Sequence, residues 1–128
     1  MRALHFTWAG ERREFIPTMA VLSAMAADIC RTSEGLENTV SLASKMLGGG
    51  ADPVFASVGL WHLLRASGAT VSREDAYAQM LSAEVTLAEK AEFRQAFIAS
   101  VLPSVDLGKK PEAPAVTAPA PQKARRKK

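Results

Sequence analysis

Apolar positions along this chain recur with two periods. Leu4, Phe6 and Trp8 alternate with His5 and Thr7, the period of a strand with one buried face. Ala9-Gly10-Glu11 reads as a turn and residues 12–16 as a return strand. A lone hairpin is marginal in water, so its aromatic face should lie on helices, with Phe6 and Trp8 in the core. From Pro17-Thr18 the period lengthens. Leu22, Met25, Ala26 and Ile29 share one helical face as far as about Arg31, and residues 33–35 break it. Leu36, Val40, Ala43 and Leu47 predict a shorter second helix, ended by Gly48-Gly49-Gly50.

The pattern then becomes apolar nearly all round. Asp52 stands as an N-cap with Pro53 at the first helical position, followed by Val54, Phe55, Val58, Leu60, Trp61, Leu63 and Leu64. Only Ser57, His62 and Arg65 are polar, on less than half the circumference, and Gly68 occupies the position of a C-terminal stop. A helix of this kind must be covered on several sides, which makes it the centre of the fold. Ser72 with Asp75, and Val71 facing Ala76, predict the start of a fourth helix carrying Tyr77, Met80 and Leu81. Thr86 with Glu89 predicts a fifth, whose apolar face is Phe93, Phe97, Ile98, Val101 and Leu102, with Pro103 ending it. The fold class expected is mainly α (α+β): about five helices with an N-terminal β-hairpin over residues 1–107.

Beyond that point the pattern stops. Residues 108–128 interleave Pro111, Pro114, Pro119 and Pro121 with alanine and end in KARRKK, which reads as a disordered basic tail. Charge follows the same boundary. Residues 1–108 hold nine Lys/Arg and twelve Asp/Glu, a net −3, whereas residues 109–128 hold seven Lys/Arg against Glu112, a net +6. The overall +3 of the 128-residue chain therefore describes its tail rather than its body. Lys123, Arg125, Arg126, Lys127 and Lys128 are candidates for weak, salt-sensitive contact with nucleic acid or another polyanion. A helix-turn-helix over residues 53–82 is a poorer candidate, because its second helix would begin Arg73-Glu74-Asp75 and bring carboxylates to phosphate.

Candidate chemistry is sparse. With Cys30 alone, no intramolecular disulfide can form, which suits a reducing cytosol. No apolar run has membrane-spanning length, and the uncharged residues 16–27 follow acidic, strand-like residues rather than a basic leader. Cys30 and His62 sit in apolar helical patterns and read as a buried structural thiol and a histidine at a polar edge. His5 and His62 have no partner at metal-ligand spacing. The glycine triplet lacks the Gly-Lys-Ser/Thr of a phosphate loop. The expectation is a protein without a cofactor or metal and without catalytic activity. Its methionines fill core gaps or, together with 48% hydrophobic residues, line an apolar groove for varied apolar partners. The candidate core or groove residues are Met25, Phe55, Val58, Trp61, Leu64 and Met80.

The layout resembles a known family. LHFTWAGERREF, a helix entered through Pro17-Thr18, a short helix, Gly48-Gly49-Gly50, the central helix and then residues 66–76 (ASGATVSREDA) are similar to the small tail-assembly chaperones of long-tailed phages. The likeness is to the branch found in gene transfer agents and prophages, and it covers roughly residues 3–82. Members often carry an acidic residue about midway along the first helix; here that region is Leu22-Ser23-Ala24-Met25, with acid only at Asp28. The resemblance implies a non-enzymatic assembly factor made in the bacterial cytoplasm. Its partners would be the long helical tape-measure protein and tail-tube subunits, and a homo-oligomer is compatible with it. Members of the family are often made in two lengths, and Gly108-Lys109-Lys110 can be encoded by a G-then-A run on which ribosomes slip to give a longer product; a plain linker with two ordinary lysines is the alternative.

Overall fold

In the computed structural model, which describes residues 2–103, two antiparallel strands open the chain: β1 (Leu4–Trp8) and β2 (Glu11–Phe15). The register pairs Leu4 with Phe15, Phe6 with Arg13 and Trp8 with Glu11. Ala9 and Gly10, at φ 52° and 81°, make the two-residue turn with both central residues left-handed, the hairpin turn whose twist matches its strands. The return strand thus starts at Glu11, one residue earlier than the sequence pattern suggests, and Ile16 falls outside it.

Five helices follow: α1 (Met19–Thr32), α2 (Thr39–Leu47), α3 (Pro53–Ala66), α4 (Arg73–Leu81) and α5 (Leu87–Val101). Their starts are set locally. Thr18, Asn38, Asp52, Ser72 and Thr86 each accept a hydrogen bond from a backbone N–H of the first turn. Thr86 and Glu89 form a reciprocal capping box, whereas at α4 only the Ser72 half of the expected box is made. At the end of α3, Gly68 takes φ 96°, and Ala69 N–H reaches back to Leu64 C=O at 2.9 Å, satisfying a carbonyl the helix leaves unpaired.

The central position expected for α3 is what the packing gives. It lies against α1, α4, α5 and β2, and Ala56 to Leu60 are buried without interruption. The hairpin's inner face meets α5 through aromatic rings: Phe93 lies 6.0 Å from Phe6 and 5.9 Å from Trp8, centroid to centroid. The same helix holds the hairpin's backbone from outside. Glu92 accepts from Thr7 N–H and Glu89 from Gly10 N–H, both at 2.9 Å.

Two expectations fail. α2 begins at Thr39, so Leu36 lies outside it and is 83% exposed; Val40 and Leu47 also face solvent. Of the expected face only Ala43 is buried; it is joined by Leu42 and Met46 on the side turned to α5 and α1. Cys30 is exposed rather than buried, because α1 turns Met25, Asp28 and Ile29 inward. The tail expected over residues 108–128, with the boundary at 107, lies outside the described residues.

Candidate functional site: a cleft beside a buried carboxylate

α4 is the least buried helix of the fold. Ala76 is its single buried residue, and its packing is almost entirely on α3. Beside this contact, Thr32 at the end of α1, Val54, Ser57 and Val58 of α3, and Arg73, Glu74 and Tyr77 of α4 line an open cleft of about 470 Å³. Its surface is mostly apolar. Val58 is buried at its floor, while Val54 and Tyr77 keep 42% and 39% of their surface exposed. Large apolar groups left open beside one another are characteristic of surfaces that receive a partner.

The cleft ends at a polar cluster built from three helices. Asp28 of α1 is 3% exposed, and an isolated carboxylate at that depth would be costly. It is fully engaged. His62 Nε2 of α3 donates to Oδ2 at 2.8 Å, Arg73 of α4 pairs with the same oxygen, and Arg31 Nη2 reaches Oδ1 at 2.7 Å. Because a carboxylate only accepts, the neutral imidazole must carry its proton on Nε2. Burial pushes Asp28 upward, but hydrogen bonds from His62 and Arg73, and their charge, outweigh it and leave its pKa below the usual value. Burial lowers His62, the Asp28 carboxylate opposes that, and Arg73 and Arg65 add to it; the net shift is downward.

Trp61 ties the cluster together. Its indole N–H donates to Val71 C=O at 2.9 Å, and its ring meets His62 edge-on at 4.8 Å. Arg73 lies 4.0 Å from the ring centroid and Arg65 4.9 Å, which fixes both guanidinium groups by cation–π attraction.

Of the six residues expected to form a core or groove, only Val58 lines this cleft. Met25 and Leu64 are fully buried core, and Phe55, Trp61 and Met80 are partly buried against it. The five basic tail residues, Lys123, Arg125, Arg126, Lys127 and Lys128, lie outside the described residues. Sequence reasoning missed Asp28, Arg73 and Thr32 as a group. The available signal was Asp28 itself, the one acid of α1, in line with the apolar Met25 and Ile29, which could not be buried without partners.

His62 has the carboxylate partner of a general base, yet among the described residues no hydroxyl or thiol hydrogen-bonds its other nitrogen. Comparison of the chain with protein-family models, with curated proteins and with solved structures finds no match. Among the described residues no helix is long and apolar enough to cross a membrane, and no group of three His, Cys, Asp or Glu could hold a metal ion.

Proposed function

We propose that the protein is a non-enzymatic tail-assembly chaperone of a long-tailed phage, prophage or gene transfer agent, acting in the bacterial cytoplasm. It holds an apolar helical stripe of the tape-measure protein in the α3–α4 cleft and helps bring tail-tube subunits to it. The observation that carries this reading is the cleft itself: an apolar floor with Val54 and Tyr77 open to solvent, beside a rigid charged end. A long amphipathic helix without its tube exposes an apolar stripe and aggregates. A groove between two helices can cover residues of that stripe at spacings of three and four.

The test is co-expression with the very long helical protein of the same locus. The wild-type chain should keep that protein in the soluble fraction. Val54→Asp and Tyr77→Asp, both at exposed positions, should lose this effect while melting like the wild type. Equal solubility of the client with and without the chain would sink the reading.

A further inference from the structure

Three of the nine basic residues of the body, Arg31, Arg65 and Arg73, gather around Asp28 and Trp61. Among the described residues Asp28 is the single carboxylate bonded to this group, and it is shared by two guanidiniums. The cluster is therefore cationic in a body that is otherwise net acidic. Arg73 is also part of the cleft wall. Its ring stacking and its bond to Asp28 fix the guanidinium, yet the side chain stays 45% exposed, so further N–H donors reach the rim. Arg31, 70% exposed on the other carboxylate oxygen, stands next to it. Glu74 lines the same cleft and with Asp28 balances Arg31 and Arg73, so the excess positive charge is that of Arg65, which stands over the Trp61 ring and lines the neighbouring recess with residues 68–71.

We propose that the α3–α4 cleft selects a helix carrying a carboxylate beside its apolar stripe, the carboxylate docking on Arg73 and Arg31 while the stripe covers Val54, Val58 and Tyr77. This rests on the chaperone reading and names the chemistry of its client. Charge decides the occupant. The chain's own residues 109–128 have seven Lys/Arg and one acid, the same sign as the rim, and are repelled from it. A guanidinium already held by a ring and a carboxylate loses little freedom on binding a second carboxylate, which favours selectivity at this point.

The test uses the full chain and two labelled synthetic peptides of about 20 residues with one shared leucine stripe at helical spacing. One peptide carries glutamates beside the stripe and the other lysines at the same positions. Fluorescence anisotropy should show the glutamate peptide binding about fivefold to tenfold more tightly at physiological salt. Arg31→Gln, at an exposed position, and Arg73→Gln should each shrink that preference, and Val54→Asp should abolish binding of both peptides. Thermal melts of each variant check that the fold survives, with Arg31→Gln standing alone if Arg73→Gln unfolds. Equal affinities, or no binding of either peptide, would overturn the proposal. So would a preference that persists in the arginine variants, because it would then come from the cationic C-terminus. Release of a wild-type oligomer into monomers by Val54→Asp would also overturn it, by assigning the cleft to a second copy. If the arginine variants still solubilise the long helical client while the peptides bind equally, the charge inference falls and the chaperone reading stands.

Discussion

At Asp28 a single residue couples three helices, and its protonation is tied to stability. The folded-state pKa of Asp28 lies below its ordinary value of 3.8, so its contribution is complete above that value and is lost as pH falls through the folded one. His62 is likewise shifted below 6.5. The unfolded chain therefore binds a proton first as pH drops, and stability declines from about the ordinary imidazole value downward. Glu37, held low by Lys45 and Ser41 against its burial, and Glu89, held low by Gly10 N–H and Thr86, act with Asp28 in the acid range. We expect two limbs in a plot of melting temperature against pH: a shallow fall between about pH 7 and pH 5 from His62, then a steep one near pH 4 from the carboxylates. His62→Gln, whose amide N–H replaces the donor to Asp28, should flatten the first limb and leave the second. A wild-type melting temperature constant down to about pH 5 would contradict the downward shift of His62.

At the scale of elements, the approach of α3 to α5 depends on one missing side chain. A Cβ built on Gly59 would lie 2.6 Å from Cε2 of Phe97, a ring that is fully buried and also packs on Phe93. Gly59→Ala should therefore cost about 1–3 kcal/mol of overpacking, offset by up to about 1 kcal/mol of improved helix propensity. A net loss in urea denaturation, relieved by adding Phe97→Leu, is the expected result; a stabilised single variant would mean the ring moves aside freely. Nothing in the sequence marks Gly59 as special, since its neighbour across the core is known only from the fold. The contrast with the helix starts is physical. Thr18, Asp52, Ser72 and Thr86 act on N–H groups two or three residues away, so their roles are written locally. The buried face of α2 is not, because a short helix with apolar residues on two sides can present either one. Tertiary neighbours keep the expected Ala43 inside but choose Leu42 and Met46 over Leu36, Val40 and Leu47. The site was legible to the same extent: α3 as centre and the start of α4 at Ser72 could be read, whereas the union of Asp28, His62 and Arg73 needs three helices in place.

For the whole molecule, charge and apolar periodicity divide the sequence at nearly the same point. The buried apolar residues among those described run from Phe6 to Ile98. Residues 109–128 contribute no apolar periodicity but carry the net +6, against −3 for residues 1–108. Folding and polyanion affinity should therefore be separable by one cut. Truncation after Leu107 is expected to leave the thermal melt unchanged, since no periodic apolar surface is removed with the tail. The full chain should bind DNA weakly and without sequence preference, with a steep loss as salt rises, because about five clustered cations release about as many counterions. The truncated body, net acidic and with its arginine cluster sharing the Asp28 carboxylate, should not bind measurably under the same conditions. A melt lowered by the truncation would mean that the tail packs on the body. DNA affinity retained by the body would instead raise nucleic-acid binding above client holding as the function of the fold, since the arginines around Trp61 would then be reading phosphate rather than a client's carboxylate.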